Sequence, residues 1–247
     1  MKANYTDISK TYDKYRSYSE KEIKKIIEFA GIREGTRILD VGCGTGNVAV
    51  QLKKLIEVDV VGIDISMPML EVARGKALKV VCADAGSGHL PFRDNSFDMT
   101  IGAYIVHQID NLQSMFSECC RVLGSGAIVL FTSSHRQIEY QHPVIKQFFP
   151  SLIDIDKVRF PDIPEIDRRL GSAGFTDIRH EEIRVENIPM DDEYLQKVKG
   201  KYVSTYHLLP QKEFEAGVKR LEAFIRKSHR TEFREWRGTL IYGKKKG

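Results

Sequence analysis

The sequence predicts a doubly wound α/β fold, and three observations predict it. The run Ile38-Leu39-Asp40-Val41 leads into three alternate glycines, Gly42, Gly44 and Gly46, and then into an amphipathic segment. A buried strand that turns sharply into a helix reads this way, because glycine lets the backbone turn and lets a ligand lie against it. Strand-like and helix-like segments alternate onward to Phe131, which argues for a parallel sheet wound by helices. Ala127-Ile128-Val129-Leu130-Phe131 is apolar without a break, as suits a strand covered on both faces.

The chain has 247 residues, 42% hydrophobic and 29% charged, the profile of a soluble globular protein with a sizeable core. Its net charge of +4 demands neither nucleic acid nor a membrane surface as partner. No apolar run is long enough to span a bilayer, and the first residues carry no signal region, so a cytoplasmic protein is expected. The 4 cysteines form no C-x-x-C pair. No metal site is therefore expected, and the thiols read as reduced core residues.

Taken in order, Tyr5 to Tyr18 is an aromatic, charged arm, read as a short helix or lid. Ser19-Glu20-Lys21-Glu22 is a capping box, followed by Ile23, Ile26, Ile27 and Ala30 on one helical face and Gly31 as a stop. After the glycines, Val48, Leu52 and Leu55 mark a helix. Val58 to Asp64 is the second strand, and an acid at its tip is placed to accept hydrogen bonds from ribose hydroxyls. Ser66 reads as the cap of the next helix, with Met69, Leu70 and Ala73 inward. Lys79 to Ala83 is a short strand, Met99 to Val106 a longer one, and Asp110 the start of a helix that Gly124-Ser125-Gly126 ends. Beyond Phe131 the rhythm changes. His135 to Pro164 is rich in proline and phenylalanine and reads as an insertion. A helix from Ile166 to Gly174, a strand from Phe175 to Val185, a mostly helical stretch from Asp191 to Ser228 and a closing strand from Glu232 to Tyr242 follow, with Lys244-Lys245-Lys246 as a frayed tail.

Two cofactors compete for the glycine cradle. A dinucleotide site needs a small residue where this chain has Asn47, and a pyrophosphate would not sit beside the carboxylate of Asp40. A cofactor carrying an ammonium and a sulfonium would. The local chemistry favours S-adenosylmethionine over NAD.

The chain resembles the class I S-adenosylmethionine-dependent methyltransferases, in the small-molecule type 11 group that is similar to the ubiquinone and menaquinone methyltransferases. Four blocks carry the resemblance: Ile38 to Gly46; Gly62-Ile63-Asp64-Ile65-Ser66; Ala83-Asp84-Ala85 with Leu90-Pro91-Phe92 and Asn95-Ser96-Phe97-Asp98; and Arg121-Val122-Leu123. It runs well from Tyr12 to about Ser133 and more loosely to Gly174-Phe175. It implies a seven-stranded Rossmann-like sheet with helices on both faces, its last strand antiparallel, and an α-helical or irregular cap. It also implies roles. Asp40 and the backbone of Gly42, Gly44 and Gly46 would hold the methionine part of the cofactor, Asp64 the ribose, and Ile65, Asp84 and Ala85 the adenine. Ala103 or Tyr104 would lie near the sulfonium, and Tyr12, Tyr15 and Arg16 in the arm would close over the methionine carboxylate. The Arg-Asn pair of the quinone enzymes after strand four is replaced here by Val106-His107-Gln108, which points away from a quinone.

The expected layout is one methyltransferase domain. Residues 1–30 form the arm and lid helix, 31–134 the cofactor core, 135–164 and 191–230 the cap, and 165–190 and 231–243 complete the sheet. Methyl transfer is an in-line displacement that needs alignment and, for a protonated nucleophile, a base. His107 is the candidate base and Tyr104 a candidate for lining the methyl path, with His135 a second base. The aromatic, irregular segments are expected to hold a small, partly apolar acceptor. Nucleic-acid (tRNA) methylation and a non-catalytic S-adenosylmethionine binder are the competing readings. The acceptor atom and the oligomeric state are not legible.

Overall fold

Ile38 and Leu39 are neighbours in one strand, point to opposite faces, and are both fully buried. That pair of facts requires the sheet to be covered on both sides, at about 2 kcal/mol for each such side chain removed from water. The computed structural model describes residues 9, 12–14, 18–141, 143–227 and 232–247. β1 (Arg37–Val41), β2 (Asp59–Asp64), β3 (Lys79–Cys82), β4 (Phe97–Ala103), β5 (Leu123–Thr132), β6 (Phe175–Met190) and β7 (Glu232–Lys245) form a seven-stranded sheet in the order β3-β2-β1-β4-β5-β7-β6. β7 runs antiparallel to β5 and β6, while the pairs from β3 to β5 are parallel. The strand order reverses between β1 and β4, and a crevice opens at such a switch point beyond the strand ends.

The Ile38 face takes helices α1 (Glu20–Ala30), α2 (Asn47–Leu55) and α3 (Met67–Gly75) through Ile23, Ile26, Val48, Leu52 and Ala73. The Leu39 face takes α4 (Leu112–Val122) and α8 (Ile163–Ser172) through Met115, Phe116, Ile166 and Leu170. The capping box of α1 is formed: Ser19 Oγ accepts from the Glu22 N–H at 3.3 Å and Glu22 Oε2 from the Ser19 N–H at 2.8 Å. Gly31 ends α1 in the left-handed conformation.

Much of the patterned sequence between Leu90 and Leu123 is scaffold. The Arg121 guanidinium donates to the carbonyls of Leu90 and Phe92 and to Asp94 and Glu118, pinning the loop before β4. Its hydrogen bonds to Glu118, helped by the Leu90 N–H and by its charge, hold that carboxyl below the ordinary range. Asp98 accepts from the backbone and guanidinium of Arg37 and ties β4 to β1.

The His135–Pro164 insertion is largely helical, with α5 (His135–Gln141), α6 (Pro143–Lys146) and α7 (Leu152–Arg159). Several sequence expectations are corrected. α8 starts at Ile163 rather than Ile166, because Pro164 fits its first turn, where no N–H is needed. Asn111, not Asp110, caps α4, accepting from the Ser114 N–H at 3.0 Å. Ser66 begins α3 but makes no side-chain cap bond. The lysine tail is not frayed: Lys244 and Lys245 continue β7 opposite Thr176 and Phe175, and Lys245 Nζ donates to the Leu123 carbonyl at 2.6 Å.

The cap has its own core. Phe148, Phe149 and Leu152 meet Tyr194 and Leu195 of α9 (Asp192–Lys199), Tyr206 of a short turn, and Phe214 and Leu221 of α10 (Gln211–Lys227). β6 and β7 pair beyond the end of β5, from Ile183 opposite Gly238 to Met190 opposite Glu232. This two-stranded ribbon reaches past the sheet edge toward the cap.

Candidate active site

Three glycines with positive φ make the turn from β1 into α2: Gly42 (70°), Gly44 (53°) and Gly46 (78°). Their surroundings differ. A Cβ at Gly42 would lie 2.3 Å from Ile105 Cδ1, and one at Gly46 would lie 2.1 Å from Leu78 Cδ1. Glycine is demanded there by packing as well as by φ. At Gly44 a Cβ would meet nothing within 4 Å, so Gly44 is the position where the loop backbone faces open space. Ile105, which sequence reasoning did not single out, covers Gly42.

Asp40 is buried beside this loop, and its Oδ2 is buried without a hydrogen-bond partner. Burial first, and the neighbouring Asp64 charge second, push its carboxyl up to about 7. An unpaired buried carboxylate is costly unless a cation or donor reaches it. Asp64 at the tip of β2 accepts from the Gly44 N–H at 2.9 Å and from the Ser66 N–H at 2.8 Å, which fixes its orientation while leaving each oxygen a lone pair. Burial raises the Asp64 carboxyl against those bonds. Next to it the Ile65 side chain is 68% exposed. Asp84 is exposed and turns its own loop, with Oδ1 accepting from the Gly86 N–H at 2.8 Å. Ala85 is buried in the core cluster, which leaves its backbone as the part that could meet a ring.

Asp13 lies against this loop. Its Oδ1 accepts from Thr45 Oγ1 at 2.5 Å, and its Oδ2 pairs with Lys76 Nζ at 2.6 Å. Lys76 Nζ also donates to the Thr45 carbonyl at 2.8 Å and to Asn47 Oδ1 at 2.9 Å. Lys76 therefore ties the arm to the glycine turn, a role that no sequence pattern signalled. Tyr12 lines the cavity beside the loop, while Tyr15 and Arg16 lie outside the described residues.

Beyond β4 and β5 lies a cavity of about 580 Å³, walled by Tyr12, Tyr104, His107, Phe131, Phe160 and Trp236 among others. Tyr104 follows β4 with φ 55°, and its N–H bonds to the Phe131 carbonyl at 2.7 Å. A non-glycine residue in the left-handed region costs of order 1 kcal/mol, and here that turn aims the ring at the cavity. The rings of Tyr104, Phe131 and Trp236 are in mutual contact, with centroids 5.0 to 6.0 Å apart. Ala103 ends β4 half-buried and is not among the lining residues. His107 stacks on Phe160, centroids 3.9 Å apart and planes 13° from parallel, and its Nε2 lies 2.8 Å from Gln108 Nε2. His135 is not in the wall; its Nε2 bonds to the Phe160 carbonyl at 2.7 Å.

Sequence reasoning missed the polar part of the wall. Asp156, one turn before Phe160 in α7, is buried and accepts a short hydrogen bond from the Thr205 hydroxyl. Arg159 Nη1 donates to Thr205 Oγ1 at 2.8 Å and lies 3.6 Å from Asp156 Oδ1. The only signal was an acid and an arginine three apart in an otherwise aromatic insertion. Among the described residues, no helix is long and apolar enough to cross a membrane and no metal-binding cluster is assembled.

The donor set suits S-adenosylmethionine. A buried carboxylate with one unpartnered oxygen, an open glycine and an acid at the second strand tip match an ammonium, a close backbone approach and ribose hydroxyls. Residues 39–131 match the sequence profile of a family described as a methyltransferase domain, type 11. Demethylmenaquinone methyltransferase of Staphylococcus aureus is 32% identical over 209 residues, 71% of this chain and 84% of that protein. An uncharacterised protein of Methanocaldococcus jannaschii is 29% identical over 212 residues, 77% of this chain and 82% of that one. Among solved structures, a putative methyltransferase from an antibiotic biosynthesis pathway of Anabaena variabilis superposes with a TM-score of 0.75 at 25% identity, over 93% of this chain and 98% of that one.

Proposed function

The chain belongs to the class I S-adenosylmethionine-dependent methyltransferases, and on that premise we propose that its acceptor is a small, partly apolar molecule held in the aromatic cavity beneath the cap. The observation that carries this reading is the cavity itself: about 580 Å³, open to the end of β4 and walled by Tyr104, His107, Phe131 and Trp236. A volume of that order takes a small ligand and excludes a nucleic-acid duplex. When bound, S-adenosylmethionine supplies an electrophilic methyl group on a sulfonium.

The chain's own residues do the rest. Asp40 would hold the ammonium of the cofactor's methionine part, with the open Gly44 turn beside it. Asp64 would hold the ribose hydroxyls, and Ile65 and Asp84 would hold the adenine. Tyr12, next to Asp13, which is held by Thr45 and Lys76, would help to exclude water beside the loop. Tyr104 presents its ring at the mouth between the two halves. His107, fixed by its stack on Phe160, takes the proton from an acceptor that carries one at working pH. Alignment of acceptor and methyl is the main contribution, and an acceptor that carries no proton on its nucleophilic atom needs no further activation.

Transfer of isotope-labelled methyl groups in a cell extract, separated into small-molecule, RNA and protein fractions, tests this reading. Label in the small-molecule fraction is expected. Label confined to RNA, and lost on nuclease treatment, would overturn it in favour of a nucleic-acid enzyme. Binding of S-adenosylmethionine with no transfer to any fraction would favour a binder.

A further inference from the structure

The whole chain is basic, with a net charge of +4, yet its cavity is not. Among the described lining residues, Glu22, Asp156, Asp191 and Glu193 supply four carboxylates against the one ammonium of Lys197. Lys197 is already tied to Glu193 at 2.8 Å. Asp191 accepts from the Tyr194 N–H at 2.9 Å at the start of α9, and Glu22 closes the capping box of α1. Neither of those bonds involves a cationic partner, and among the described residues no ion pair neutralises either charge.

Asp156 is the most enclosed of the four, its side chain 8% exposed. Thr205 donates to its Oδ1, and Asp156 is one of the residues that line the cavity. The guanidinium of Arg159 approaches the same Oδ1, is itself 2% exposed, and spends its donors on the hydroxyls of Thr205 and Ser204. It lies behind the wall rather than in it. Burial raises the Asp156 carboxyl to about 6, which leaves it ionised at neutral pH. A carboxylate partly withheld from water gains most from a ligand that brings a positive charge. The same cavity is lined by the rings of Tyr104, Phe131 and Trp236, and aromatic rings attract a cation as well.

We infer that the acceptor is a small cationic compound, an amine with a flat or apolar body, recognised between the carboxylate of Asp156 and the aromatic wall; this rests on the reading of the cavity as the acceptor site. An anionic acceptor meets the carboxylates of Glu22 and Asp191, which no described cation pairs, beside that of Asp156, and a neutral one gains only burial.

Calorimetry on the full chain saturated with S-adenosylhomocysteine tests it. The probes are phenethylamine, 2-phenylethanol and 3-phenylpropionate, and the indole series tryptamine, tryptophol and indole-3-propionate. Within each series the amine is expected to bind about tenfold or more tighter than the alcohol, with the carboxylate weakest, as cation–π and carboxylate contacts of 1–2 kcal/mol imply. An alcohol or carboxylate that binds as tightly as its amine overturns the inference, and so does the failure of all six to bind. D156N, which keeps an oxygen for Thr205, should lose the amine preference while still binding S-adenosylhomocysteine. If that variant does not fold, E22Q serves, since glutamine still closes the capping box; it should weaken amine binding about threefold, scaled to a modest screened charge. No loss in either variant counts against the inference. Label transfer to a neutral small molecule, without amine binding, would sink this inference and leave the broader function standing.

Discussion

The two halves of the crevice are built on different principles. On the β1–β3 side, the candidate cofactor contacts are a strand-end turn and the acids at strand tips, all between Asp40 and Asp84. On the β4–β7 side, the candidate acceptor wall is made of side chains from the arm, the end of β4, α7, α9 and the β6–β7 ribbon. The first half depends on backbone conformation and tolerates little change. The second is an assembly of side chains on a scaffold, where chemistry can vary without rebuilding the sheet.

The sharpest contrast is expected at Asp40. D40N should lower S-adenosylmethionine affinity about 100-fold, the loss of a charge-assisted pair at a buried site. Ligand-free stability should stay level or rise, because the substitution removes a buried unpartnered charge. The pH dependence carries the same signature. The ordinary carboxyl titrates near 3.8 and the folded Asp40 at about 7, so between those values the folded state holds a proton that the unfolded state has lost. Stability of the free protein therefore falls as pH rises through that window, by at most about 1.4 kcal/mol per pH unit from this group. Asp156 contributes in the same direction up to about 6, so the difference between wild type and D40N isolates Asp40. Denaturant melts at pH 5 and pH 7 check it, and equal slopes for the two proteins would contradict it.

Within the loop the glycines should separate. G46A should cost about 2–4 kcal/mol, from the left-handed φ and the clash with Leu78. G44A should cost only about 1–2 kcal/mol of stability while weakening cofactor binding more than tenfold. Thermal melts paired with calorimetry read both quantities, and identical profiles would break the distinction between a packing glycine and a ligand-facing one.

On the acceptor side, H107N should lower kcat about 10- to 100-fold, with cofactor affinity unchanged. The pH–rate profile should lose its lower limb. A drop in kcat with an unaltered profile would reduce His107 to packing against Phe160. The smallest effect belongs to the latch. K76M should raise KM for S-adenosylmethionine several-fold with little change in kcat, since it frees Asp13 and the arm from the loop at a cost of about 1 kcal/mol. Initial-rate kinetics at varied cofactor concentration decide this.

The same contrast explains what could be read in the sequence. The glycine turn, the strand-tip acids, the capping box at Ser19 and the buried β5 are local patterns, each fixed by neighbours a few residues away. The fold and the cofactor followed from them. Arg121 and Asp98 were legible as a pattern, but not as scaffold bonds, because the Leu90 carbonyl and Arg37 that they bond lie outside their own elements. Ile105 over Gly42, Lys76 on the arm and Asp156 with Thr205 are long-range contacts that carry no period and no motif. The lysine tail misled for a related reason. Its charge suggested solvent, while open backbone partners at Phe175 and Thr176 hold it in the sheet. Tyr104 looked like a continuation of β4; its left-handed turn toward the cavity depends on Phe131 of the neighbouring strand.

A crystal structure with S-adenosylhomocysteine tests the account most directly. The ligand's ammonium is expected within hydrogen-bond distance of Asp40, about 3 Å, with the sulfur facing the cavity between Tyr104 and His107. An ammonium placed away from Asp40, or a sulfur turned from that cavity, would contradict it.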